Sequence, residues 1–236
     1  MANKSNDTFM SDLSLNRIDQ YLYEVTYTDW DYSVGSDYCE KYRGSTIGAC
    51  SSIRNGNLFG RNLDWHYDEG ASFIIHCNPT DGRHCSIGVT VNDTALTDEI
   101  ADDNKYNVLY KVLPFLTVDG INDAGVVCNI NVVPTGDKGY TTGTNPSGDD
   151  LWSKMLVRYV LDYADSASHA VELIKEKNII MPMSDLLTQE YHWMIADKYS
   201  TYVVEFIDNK INIIFTIIRI TVNYMKINSK LYGIIS

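Results

Sequence analysis

Four times along this chain two β-favouring runs flank a short turn rich in Asn, Asp, Gly or Pro, and this recurrence limits the fold more than any other feature. Residues 46–53 return at Leu58-Phe59-Gly60-Arg61-Asn62 through Arg54-Asn55-Gly56-Asn57, where Asn-Gly signals a tight hairpin. Residues 72–77 join 84–91 across Asn78-Pro79-Thr80-Asp81-Gly82. A third pair flanks Asn122-Asp123-Ala124-Gly125 and runs out through 126–133, and a fourth joins 191–196 to 201–206. Connections this short pair strands antiparallel. Between the third and fourth pairs lie two helical patterns. Leu151, Met155, Leu156, Tyr159 and Val160 share one face behind Asp149-Asp150, acids that suit a helix start. Ala167, Ala170, Val171 and Ile174 mark the second, with Ser166 as its N-cap. Hairpins, two helices and another hairpin, with no internal repeat or linker, predict one α+β domain with helices packed on sheets.

The two ends read less sharply. Leu15, Ile18, Leu22 and Val25 recur at steps of three and four, which predicts a short amphipathic helix over 11–25. A polar, aromatic-rich stretch follows to residue 45. The last 27 residues hold nine Ile, four basic residues and no Asp or Glu, and helix, strand and turn signals blur there.

Charge narrows the function classes. Nineteen basic against 31 acidic residues give a net charge of −12, which argues against nucleic acid and against an electrostatic hold on anionic lipid. The N-terminus, Met1 to Thr8, is polar, without the apolar core of a secretory signal. The most apolar stretch, 211–225, is too short to span a bilayer and carries Arg219. Five cysteines (Cys39, Cys50, Cys77, Cys85, Cys128) show no CxxC spacing, so free thiols in a cytoplasmic protein are expected, with no membrane partner.

Chemistry concentrates around Gly48-Ala49-Cys50-Ser51-Ser52-Ile53 and Leu58-Phe59-Gly60-Arg61-Asn62-Leu63-Asp64-Trp65. A lone Cys is most often a small buried hydrophobe, and an isolated Arg–Asp pair is worth little. Together they can do more. A thiol with pKa ~8.5 is mostly protonated at neutral pH, so a catalytic Cys needs a base or nearby positive charge. A cut before Cys50 would place a free α-amine, pKa ~7.7–8, beside the sulfur. Gly48 and Ala49 leave that bond open to attack, Arg61 could favour the thiolate, and Asp64 could orient the new amine. Residues three apart on a flat strand point to opposite faces, so Arg61 and Asp64 would both reach Cys50 only with a bend near Leu63.

C-S-S-I followed by L-F-G-R-N-L-D-W resembles the start of the mature chain in the choloylglycine hydrolase family, which includes bile salt hydrolases, penicillin V acylases and related linear amide hydrolases. The string Asp119-Gly120-Ile121-Asn122-Asp123-Ala124-Gly125, with its outgoing strand to Pro134, is similar to that family's D-G-[IM]-N-x-x-G block. His192-Trp193-Met194-Ile195-Ala196-Asp197 and Val203-Val204-Glu205 resemble its H-W-M-I-x-D and V-V-E strand pair. The resemblance implies an N-terminal-nucleophile αββα four-layer sandwich that hydrolyses non-peptide C–N bonds of small N-acylated substrates, without metal or cofactor. It implies Cys50 as nucleophile, Arg61 and Asp64 beside it, and Asn131 as oxyanion donor. Asn129 lies on the same strand face as Asn131. Asn223 matches a further Asn at the right distance beyond Glu205, although in T-V-N rather than T-N context. Residues 1–49 correspond to the pro-segment that several branches remove, and 50–236 to the hydrolase domain. A later Arg and the final strands of the family have no counterpart before Ser236, so the expected sandwich is incomplete at its C-terminus.

Three rival readings draw on the same sequence. His76-Cys77 and His84-Cys85 flank one hairpin, but with His76 opposite Cys85 and Cys77 opposite His84 on the other face, four ligands cannot converge on a metal. A papain-like pairing of Cys50 with His66 or His192 lacks that family's surroundings. A catalytically inactive, truncated relative that binds a ligand or partner is the non-enzyme alternative, and a homo-oligomer stays open.

Overall fold

The computed structural model describes residues 14–41, 48–65, 71–92, 110–134, 144–180, 189–207, 210–216, 221–227 and 230–235. All four turn-bounded pairs form hairpins. In chain order the strands begin with β1 (Ser14–Asp19), β2 (Leu22–Tyr27), β3 (Gly48–Asn55), β4 (Leu58–Trp65), β5 (Ala71–Cys77) and β6 (Ser86–Asn92). Next come β7 (Thr117–Asn122), β8 (Val127–Pro134), β9 (Asp150–Trp152), β10 (Asn178–Ile180), β11 (Gln189–Ala196) and β12 (Thr201–Ile207). The last are β13 (Lys210–Thr216), β14 (Thr221–Ile227) and β15 (Lys230–Ile235). Nine strands form one sheet in the order β1-β2-β5-β6-β7-β8-β11-β12-β13, and four form a second in the order β15-β14-β3-β4. Every neighbour in the large sheet is antiparallel except β2 and β5.

The helices α1 (Tyr32–Lys41), α2 (Leu156–Tyr163) and α3 (Ala167–Glu176) lie on one side of the large sheet, α2 against β7 and β8 and α3 against β11 and β12. The small sheet covers the other side, with β3 against β8. The fold is thus mixed α+β, with layers of helix, sheet and sheet; a second helix layer is not among the described elements. Strand alternation sorts β8 between these environments. Cys128, Ile130 and Val132 enter the apolar core under the helices with Leu156, Val157, Val160 and Leu161, whereas Asn129 and Asn131 bond to the small sheet.

The D-G-I-N-x-x-G string explains itself residue by residue. A Cβ on Gly120 would lie 2.6 Å from the Ile87 carbonyl and 2.7 Å from Leu161 Cδ1, so glycine lets α2 settle on β7. Asn122 is buried and donates through Nδ2 to the Leu161 and Ala164 carbonyls, at 3.2 and 2.8 Å, which closes the end of α2. Its Oδ1 accepts from Val126 N at 2.9 Å, closing the turn that Gly125 completes at φ +81°. Asp197 does similar work for the fourth hairpin. It accepts from Ala167 N at the start of α3 and from Tyr199 N and Ser200 N in its own turn. Burial opposes its charge, but those backbone donors outweigh it and hold the carboxyl below the usual carboxylate range.

The structure corrects two sequence expectations and supplies the elements that the pattern left open at two further places. The described part of the helix expected over 11–25 is a sheet instead: from Ser14 onward the chain forms the β1–β2 hairpin, whose turn Arg17 closes by donating to the Asp19 and Gln20 carbonyls. The helical spacing is coincidental, since Leu15 and Ile18 are exposed while Val25 and Tyr27, two apart, fill the core. The aromatic-rich stretch beyond it contains α1, whose Tyr32 packs edge-on against Phe115. The helix expected behind Asp149-Asp150 starts later, at Leu156. Those acids instead hold Lys177 and Asn178, and β9 pairs in parallel with β10. The Ile-rich tail forms strands and crosses sheets, β13 on β12 and β14 on β3. Ser166 is the predicted N-cap of α3, accepting from His169 N at 3.1 Å.

Candidate active site

Cys50, Ser52 and Arg54 pair directly with Leu63, Arg61 and Phe59, so these six side chains share the face of the small sheet that looks into the large one. One end of that interface is apolar, where Phe59 and Ile214 pack on the cluster of Met194 and Val203. Its middle is polar. Arg61, 5% exposed, reaches from β4 to three partners. Nη1 pairs with Asp119 Oδ2 at 2.9 Å, and Nη2 donates to the Ile130 carbonyl at 2.7 Å and lies 3.6 Å from Cys50 Sγ. Ser52 Oγ accepts from Asn129 Nδ2 and donates to Asn131 Oδ1 at 3.1 Å. Asn131 Nδ2 spends one hydrogen on Asn129 Oδ1, at 3.3 Å, and has a second to offer.

The structure therefore brings Cys50, Arg61 and Asn131 to one interface, with Asn129 on the same face. It adds Ser52 and Asp119, to which the sequence pattern alone assigns no role. Ser52 was legible as the next residue on the Cys50 face of a strand; Asp119 was legible only inside the D-G-I-N string. The β3–β4 ladder continues without a register shift through Ala49↔Asp64 to Gly48↔Trp65, so no bulge interrupts the pairing at Leu63. Asp64 is described in its backbone alone, as the register partner of Ala49. Asn223 is likewise described in its backbone alone, on β14 just after Val222, which pairs with Ser52.

His192 shares the interface as the direct partner of Asn131 on β11. Burial lowers its pKa from 6.5 to about 4. As the pH falls below 6.5 the unfolded chain takes this proton first. The stability present above 6.5 is therefore lost on the way down to about 4. We expect urea unfolding of the wild-type chain to lose about 2–3 kcal/mol from this residue between pH 7 and 4.5, and His192→Asn to flatten that dependence. An equal pH dependence in the variant would disprove it.

His76 pairs with Ile87 rather than Cys85, and Cys77 with Ser86 rather than His84, which corrects the sequence register. The four residues part ways. His76 binds Glu24, His84 bridges Asp123 and Asp165, Cys77 is buried beside Arg158, and Cys85 is exposed. No group of three metal-ligating side chains occurs among the described residues, nor does a helix long and apolar enough to cross a membrane. His66 lies outside the described residues. Of the other thiols, burial pushes Cys39 up to about 11 and raises Cys77 and Cys128 as well.

The sequence model described as linear amide C–N hydrolases, choloylglycine hydrolase family, matches residues 50–230 and begins on Cys50 itself. The chain belongs to this family. Among solved structures it is similar to a cysteine-to-alanine mutant of the conjugated bile acid hydrolase from Clostridium perfringens, at 18% identity and TM-score 0.49 over 79% of this chain and 63% of that one. An arginine-to-leucine variant of the same enzyme matches at 16% identity and TM-score 0.45, over 71% of this chain and 51% of that one. Penicillin V acylase from Agrobacterium tumefaciens matches at 15% identity and TM-score 0.38, over 73% and 43%. The chain thus spans less than two thirds of the length of these proteins. No curated protein matches it.

Proposed function

We propose that this choloylglycine hydrolase family member hydrolyses linear, non-peptide C–N amide bonds of small N-acylated substrates through Cys50. The observation that carries this reading is the Arg61 guanidinium 3.6 Å from Cys50 Sγ, in an interface that also holds Asn131. Residues 1–49 are the pro-segment, and scission of the Ala49–Cys50 bond frees the Cys50 α-amine. That amine takes the thiol proton as sulfur attacks the acyl carbonyl. The tetrahedral oxyanion is met by the second N–H of Asn131 Nδ2, with Asn223 as a further donor, and Asp64 orients the amine. Collapse breaks the C–N bond, the amine product leaves with the proton, and water then hydrolyses the thioester to the free acid.

The substrate classes are those of the family: bile salts, penicillin V and N-acyl amines. We expect Asn131→Ala to lower kcat about 10²–10³-fold with KM little changed, because the lost donor acts on charge that develops only in the transition state. Steady-state hydrolysis of penicillin V and glycine-conjugated bile salt checks this. A loss confined to KM would reassign Asn131 to substrate binding.

A further inference from the structure

We propose that Asp119 is a positioning residue for Cys50: its carboxylate holds the Arg61 guanidinium against the sulfur. The inference rests on Cys50 being the nucleophile. A planar guanidinium is fixed when two of its nitrogens are held. Here Nη1 is held by Asp119 Oδ2 at 2.9 Å and Nη2 by the Ile130 carbonyl at 2.7 Å, which leaves Nη2 3.6 Å from Sγ. Asp119 is itself well placed to set this geometry. It sits on β7, inside the large sheet, paired with Val89 on one side and Asn129 on the other. Its side chain shares the inward face of Asn129. Arg61 is 5% exposed and Asp119 26%, so the pair is shielded on the arginine side. Without the carboxylate, a buried cation would keep one backbone carbonyl and swing toward water.

A mere counter-charge would behave oppositely. Removing a negative charge near Cys50 while Arg61 stayed in place would raise the net positive potential at the sulfur. The sign of the effect therefore separates the two roles. The test is the rate of iodoacetamide alkylation of Cys50 between pH 6 and 10, followed by peptide mass mapping, in the full chain. His192, a neighbouring group on this interface, stays neutral over that range. The Cys50 α-amine freed by scission (pKa ~7.7–8) titrates within it in wild type and variants alike, so the role of Asp119 is read from the difference between them.

We expect Asp119→Asn to move the half-maximal pH of alkylation upward by about one unit, and so to slow Cys50 at pH 7 about tenfold. Its Tm should also fall, because the 5%-exposed Arg61 loses its counter-charge, so alkylation is read well below the variant's own melting range. Asp119→Glu keeps the charge but displaces it by one methylene, and should fall between the two. An unchanged or lowered half-maximal pH in Asp119→Asn overturns the proposal. Should that variant not fold, a wild-type profile in Asp119→Glu does so. Hydrolysis is not read here: a chain that hydrolyses amides but shows no shift loses Asp119 alone, and one that shifts but never hydrolyses loses the nucleophile reading.

Discussion

Cys50→Ala should leave the chain whole and inactive, whereas the wild-type protein should carry a new N-terminus at Cys50. Both effects trace to one sulfur. In the uncut chain Cys50 lies inside β3, with Ala49 and Gly48 still paired to Asp64 and Trp65 on β4, so its nitrogen is an amide and cannot serve as a base. Scission supplies the base and frees the nucleophile together. Removing the thiol should therefore abolish cleavage and lower amide hydrolysis by roughly 10⁴–10⁶-fold, the scale seen when a covalent nucleophile is deleted. Intact mass and N-terminal sequencing read the first effect, and turnover of penicillin V reads the second. A wild-type chain that remains uncut after folding would remove the proposed base and favour a binding protein with an inert thiol. A Cys50→Ala chain still cut at residue 50 would show that another protease does the processing.

Much of this was readable from the sequence because short turns and alternating strands are local signals. The four hairpins follow from Asn-Gly, Asn-Pro and Asp-rich turns, and the inward face of β3 follows from alternation once Cys50 is picked out. What stayed hidden depends on partners distant in the chain. Leu15, Ile18, Leu22 and Val25 mimic a helix, and only parallel pairing of β2 with β5 makes that stretch a sheet edge. The tail is ambiguous alone because Ile suits a buried helix and a strand alike; β12 and β3 decide for strand. Asp119 was hidden for the same reason, since its arginine is 58 residues away. Alternation also sorts the residues at the end of β8. Val132 faces the helices, so the inward polar residues near the end of β8 are Asn129 and Asn131.

The largest loss of stability should come from Asp162→Ala, far from Cys50 on the helix side of the large sheet. Asp162 and Arg158 are both fully buried and pair at 2.7 Å, one turn apart on α2. Arg158 also donates to Ser86 Oγ at 2.6 Å. The other oxygen of Asp162 accepts from Trp30 Nε1 at 2.8 Å and Tyr32 OH at 2.7 Å, and Arg83 stacks over the Trp30 ring at 3.9 Å. Removing the carboxylate strands a guanidinium that water cannot reach and leaves the Trp30 and Tyr32 donors unpaired. A loss of about 3–5 kcal/mol follows, or a Tm lower by roughly 6–20 °C for a chain of this size. The double change Arg158→Met with Asp162→Leu should recover the part due to the stranded charge, while the Trp30 and Tyr32 donors stay unpaired and keep the variant below wild type. Circular dichroism melts check both, and a single variant within about 1 kcal/mol of wild type would disprove the argument. The same network bears on processing. Trp30 and Tyr32 precede Cys50, and with β2 in the sheet and Val25, Tyr27 and Cys39 in the core they bind the segment before the scission site to the body after it. A cut at Cys50 should therefore give two polypeptides on a denaturing gel but one species in gel filtration. In Asp162→Ala the smaller piece, held by β2 without its central polar contacts, should dissociate at lower urea than in the wild-type protein.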